Sequence, residues 1–154
     1  MKELTKYEKC VKKELRTYND TLDMCVELRD RLKECDIKIK SISACRITDM
    51  PHGGERKTLD ELYADKDELE RRLDNFLIKS KDERIKVQNL IDTVISAKHN
   101  KMLTLHYIDR MEISQIASQE HYSSRHAYRI FKEALSMVKL GKELIYGMER
   151  KRDN

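Results

Sequence analysis

The sequence predicts an all-α fold, a long antiparallel coiled-coil helical hairpin followed by a small helix-turn-helix domain. Three observations carry that expectation. The 154 residues hold one proline and four glycines, too little punctuation for the turns of a sandwich, a barrel or a doubly wound sheet. Charged residues make up 39%, against about 25% in a typical domain, with no tryptophan and two phenylalanines. Hydrophobic residues nevertheless reach 39% and recur at helical spacing, which sets the chain apart from a disordered one.

From about Glu3 to Ile47 no glycine or proline interrupts the chain, and a seam runs through Val11, Leu15, Tyr18, Leu22, Cys25, Leu28, Leu32, Cys35, Ile39 and Ile42. Its steps alternate between four and three except for one extra step of three from Cys25 to Leu28. That is a stammer, which overwinds a coiled coil locally. Residues 48–57 gather Pro51, Gly53 and Gly54 and predict a loop. Thr58 with Glu61 three residues on predicts a capping box at the start of the second helix. That helix carries Leu59, Leu62, Leu69, Leu73, Phe76, Val87, Leu90 and Val94, with polar seam members at Lys66, Ser80 and Glu83. The polar break from Ser80 to Arg84 marks either a bend or a solvated end of the pairing. Both stripes must leave water, and the loop lets them fold back on each other, so residues 1–97 read as a hairpin.

Cys10, Cys25, Cys35 and Cys45 form no CxxC pair and follow no signal peptide, so they read as free thiols of a reducing cytoplasm. Cys25 and Cys35 lie on the seam and read as small core residues. No window approaches the ~18 apolar residues of a membrane span, and Met1 opens directly on a charged helix. The expectation is a cytoplasmic protein with neither a membrane partner nor a targeting segment.

After Ala97 the texture changes. Helices are expected at 100–108, 112–120 and 124–139, forming a domain at 98–140, with a basic tail at 141–154. From Lys98 onward there are 11 basic and 7 acidic residues, against 21 of each before it, so the whole net charge of +4 belongs to this part. His99, His106, His121 and His126 join it. A basic segment on a neutral one suggests a polyanionic partner.

Within this part the stretch from Tyr107 to Leu135 fits two helices crossing through a short turn. Ala117 is small enough for the point where they touch. Ile113, Ile116, Tyr122, Ala127 and Ile130 fall where that pair must bury apolar side chains. His121 holds the turn position most often given to glycine, so it either adopts a left-handed backbone or sits in a longer turn. Ser123 caps the second helix, and Ser124, Arg125, His126, Tyr128 and Arg129 then face outward together, with Lys132 one turn beyond. These are groove-reading chemistries: arginine bonds guanine bidentately, serine and backbone amides hold phosphate, and histidine and tyrosine do either or stack. The plainer alternatives are a solvated face for Arg125 and Arg129, a capping role for His126, and packing of Tyr128 against Met111 or the tail.

The run Met102-Leu-Thr-Leu-His-Tyr-Ile-Asp-Arg-Met-Glu-Ile-Ser-Gln-Ile-Ala117, then Tyr-Ser-Ser-Arg125 and Lys132-Glu-Ala-Leu135, resembles region four of the primary sigma factors. Gln115 stands where that family usually has glutamate, and Arg110 where it usually has glycine. The coiled-coil leader with its Met50-Pro-His-Gly-Gly54 loop resembles proteins of Gram-positive phages and prophages related to the ArpU and RinA type late-gene regulators. The resemblance implies sequence-specific binding of double-stranded DNA near a promoter, with the helix from Ser124 in the major groove. It does not imply sigma activity, because the parts that melt a promoter have no counterpart here.

The alternative is a coiled-coil interaction module whose C-terminal helices dock on RNA polymerase or another protein. In either case the unpaired seam edge favours a homodimer. No enzyme is expected, since there is no glycine-rich phosphate loop, no GxSxG and no Cys-His pair with a third partner. No cofactor is implied, and His99 and His106 alone do not make a metal site. The carboxylates Asp65, Asp67 and Glu68 lie among Lys66, Arg71 and Arg72 and read as helical charge pairs.

Overall fold

The structure, a computed structural model, describes residues 4–44 and 58–141. The described residues are all helical in their regular structure: α1 Lys6–Ala44, α2 Leu59–Asp92, α3 Ala97–Tyr107, α4 Ile113–Gln119 and α5 Ser124–Met137. The expected loop at 48–57, Cys45 and the tail beyond Gly141 lie outside the described residues.

Local chemistry explains where the helices begin. Thr5 and Glu8 form a capping box: the Thr5 N–H donates to Glu8 Oε2 at 2.6 Å and the Glu8 N–H to Thr5 Oγ1 at 3.2 Å. That places the start at Lys6, inside the glycine- and proline-free stretch that opens at about Glu3 and ahead of the first seam residue, Val11. Thr58 and Glu61 make the same pair of bonds ahead of α2, at 2.7 and 3.3 Å. α2 runs unbroken through its polar seam members. Ser80 is buried and donates to the Leu77 carbonyl at 2.8 Å, and Glu83 pairs with Lys86 at 3.0 Å.

Two compact units divide the described chain. One is Thr21–Lys81; the other joins the residues up to Asp20 with those from Asp82 on. In the first, Cys35, Ile39 and Leu62 form a buried cluster with Ile42 and Leu59 packed on it, and the Cys35 thiol donates to the Leu62 carbonyl at 3.4 Å. Lys66, polar within the α2 seam, sits 2.8 Å from Asp36. That hydrogen bond holds the Asp36 carboxyl below its ordinary range and raises the Lys66 ammonium. Cys25 and Leu28, the two ends of the stammer, are both buried.

The second unit has one continuous core. Val11 and Leu15 of α1 and Val87 and Ile91 of α2 join Met102, Leu103, Tyr107, Ile116, Ala127, Ile130, Phe131 and Leu135 of the three short helices. The buried cluster therefore holds residues from both sides of position 97/98. Helices α3 to α5 total too few residues to bury a core of their own, and the bases of both long helices complete it. α5 also ends at Met137, two residues earlier than expected. There Val138 turns extended, and side chains from elsewhere take up the backbone groups. The Tyr7 hydroxyl donates to the Val138 carbonyl at 2.6 Å and accepts from Leu140 N–H at 3.3 Å, while Thr93 Oγ1 accepts from Lys139 N–H at 3.0 Å.

Candidate nucleic-acid interface

Two tight turns set the three short helices against one another. After α3 the chain reverses through Arg110, whose φ of 58° is left-handed. This is the position at which the resemblance expects glycine, and the residue pays the steric cost of a Cβ there. The turn is closed by the Met111 N–H on the Leu105 carbonyl at 2.9 Å. Glu112 then caps α4, its N–H donating to Gln115 Oε1 at 2.9 Å. Gln115, standing in the place of the usual glutamate, thus supplies the return arm of a capping box.

α4 ends in a Schellman motif. The Tyr122 N–H bonds the Ala117 carbonyl at 2.8 Å and the His121 N–H the Ser118 carbonyl at 3.4 Å. His121 adopts the left-handed conformation, φ 56°, the first of the two alternatives open at this position. Ala117, Ile116, Ala127 and Ile130 are buried, and Ile113 and Tyr122 are partly so, as the crossing of two helices requires.

Ser123 begins α5, its hydroxyl accepting the His126 N–H at 3.3 Å. Ala127, Ile130, Phe131, Ala134 and Leu135 face the core. Ser123, Ser124, Arg125, Tyr128 and Arg129 are exposed, and His126 and Lys132 are half-buried at the flanks. The structure thus brings the expected site residues onto one side of one helix. Tyr128 is 45% exposed, so it is available to a partner.

α3 adds groups that local spacing does not reveal. Lys98 Nζ lies 3.1 Å from His126 Nε2 and 5.0 Å from the centre of the Tyr122 ring, a cation-π distance. On the other side of the imidazole, Arg129 Nη2 lies 3.0 Å from Nδ1. His99 stands 2.7 Å from the Ser96 hydroxyl and 3.4 Å from Glu133, which also lies 3.8 Å from Arg129. Lys98 and His126 are 28 residues apart, so only the crossing of α3 and α5 could have shown the pairing.

His106 takes a structural part. Its Nδ1 donates to the Met111 carbonyl at 2.8 Å, and its ring stands edge-on to Tyr107 and Phe131, with centroids at 4.7 and 5.0 Å. Burial pushes the imidazole below its ordinary value; the Met111 bond opposes this, and Lys12 and Arg16 add to the depression. The unfolded chain then binds the proton more tightly than the folded one. The contribution of neutral His106 is complete above about pH 6.5 and is lost as pH falls through the lowered folded value. Chemical denaturation from pH 7.5 to 5 should show a smaller loss of stability in His106→Gln than in the native chain. Identical pH slopes would refute the assignment.

Residues 40–139 match the family model described as protein of unknown function (DUF1492). The match takes in α2 to α5 and leaves out Val11 and Leu15, which complete the core beneath them. No curated protein matches the chain, and no solved structure does. With 100 of its 154 residues inside the model, the chain belongs to the DUF1492 family.

Proposed function

We propose that this protein is a sequence-specific DNA-binding transcription regulator of phage or prophage origin, of the sigma region four-like class. In this reading α4, its turn and α5 are a helix-turn-helix, α5 lies in the major groove, and the two long helices are an antiparallel coiled-coil hairpin that dimerises or contacts a partner. The observation that carries it is the α4 to α5 crossing. A left-handed His121 and a buried Ala117 lie at the crossing, and Ser124, Arg125, Tyr128 and Arg129 stand exposed on the outer face of α5. The charge excess confined to the chain from Lys98 on supports the same partner, because phosphates dominate affinity for DNA.

A homodimer would set two such helices on one face of a duplex and raise their effective concentration.

Selection of the full chain on random duplexes tests the reading. The expected result is enrichment of a defined site, as two symmetric half-sites about one helical turn apart if the dimer forms. No enrichment, together with a protein partner retained from nuclease-treated extract, would instead support a docking module on RNA polymerase or another protein.

A further inference from the structure

Lys98, His126 and Arg129 present a hydrogen-bonding imbalance. The Lys98 ammonium at 3.1 Å from Nε2 and the Arg129 guanidinium at 3.0 Å from Nδ1 both point donors at the same imidazole. A neutral imidazole has one nitrogen that accepts and one that donates, so it can satisfy only one of them. Lys101, one turn along α3, has Glu120 at 2.8 Å, whereas the partners of Lys98 are an imidazole and the face of Tyr122. Among the described residues the carboxylate that acts on His126 is Glu133, 3.8 Å from Arg129 and shared with His99, while Glu120 lines the same hollow as Lys98 and is bonded to Lys101. Three basic groups from two helices therefore converge at the first turns of α5, with two cationic donors, among the described residues, on an imidazole that can accept from one.

We propose that Lys98, His126 and Arg129 form a seat for one phosphate group, and that its occupancy draws a proton from solvent onto His126. On nucleic acid the occupant is a backbone phosphodiester; free phosphate offers the same chemistry. A phosphate brings several acceptor oxygens, enough for the ammonium, the guanidinium and a protonated imidazole together. With the anion in place, the charges of Lys98 and Arg129 no longer oppose protonation. In its absence partial burial and those two cations hold the His126 imidazole below its ordinary value, against the pull of Glu133. The neutral groups in the neighbourhood are the Tyr122 ring, edge-on at 5.1 Å, and the Ser123 hydroxyl on the backbone N–H. In its nucleic-acid form the inference rests on the DNA-binding reading. It assigns Lys98 of α3, outside the helix pair, as a positioning contact that carries no sequence information.

Proton NMR of the histidine C2–H resonances in the full chain tests it, with the His106 resonance as a check on the fold. Sodium phosphate is compared with chloride at equal ionic strength, and a mixed-sequence duplex of about 20 base pairs is compared with no duplex. The expected result is that both raise the His126 midpoint by about one pH unit, a tenfold gain in proton affinity. Lys98→Gln should abolish the rise with His106 unmoved. An unmoved His126 midpoint with phosphate, and with a duplex that demonstrably binds, overturns the seat while the DNA reading stands. A phosphate response without any binding of duplex keeps the seat and overturns the DNA reading.

Discussion

Leu15→Ala is expected to remove about 2–5 kcal/mol of unfolding free energy, although the residue lies on the first helix and far in sequence from the interface. Leu15 is fully buried in the core it shares with Val87, Ile91 and the three short helices. Small domains have about 5–15 kcal/mol in total, so the loss should be visible in the packing of α3 to α5. Chemical denaturation with fluorescence of the seven tyrosines reports it, since Tyr107 and Tyr122 belong to that core. Ile95→Ala is the control: Ile95 is 94% exposed and its truncation should stay within about 0.5 kcal/mol. A fragment starting at Lys98 should fail to unfold cooperatively, because Val11, Leu15, Val87, Ile91 and Val94 are absent from it. If that fragment folds with the stability of the whole, the account of the shared core is wrong.

Arg125→Ala is expected to cost about 1–3 kcal/mol in binding to the selected DNA site through loss of a base contact, and Arg129→Ala to weaken binding through loss of a phosphate contact. Both side chains are exposed, so their removal should leave the unfolding midpoint in place. The two should differ in kind. Arg129 lies against His126 and Glu133 in the proposed phosphate seat, so its loss should weaken all duplexes alike and reduce the salt slope by about one. Arg125 projects from the first turn of α5, and its loss should relax preference at one base pair. Unchanged affinity in both variants with the fold intact would remove α5 as the recognition helix.

What local spacing governs was legible in the sequence. The seam from Val11 to Ile42, the capping box at Thr58, the small Ala117 and the buried Ile116, Ala127 and Ile130 all follow from periodicity and helix-terminus chemistry. The Thr5-Lys-Tyr-Glu8 box was equally present in the sequence and fixes the start of α1 better than the seam does. Sequence leaves the backbone at His121 open, since histidine tolerates a left-handed conformation without requiring one.

Other features were hidden because they join distant residues. A heptad pattern says that Leu15 must be buried, but not that part of what buries it comes from helices after residue 97. The end of α5 depends on Tyr7, 131 residues away from Val138, and nothing around Met137 announces it. Lys98 looks like one more solvated lysine until α3 crosses α5 beside His126.

The most direct test of the central claim is the affinity of the full chain for its selected site and for a scrambled duplex, measured from about 50 to 200 mM salt. A preference of about 10³-fold or more for the selected site is expected, with both affinities falling linearly on logarithmic axes as salt rises. Equal affinity for the two duplexes, or no binding at the lowest salt, would contradict it.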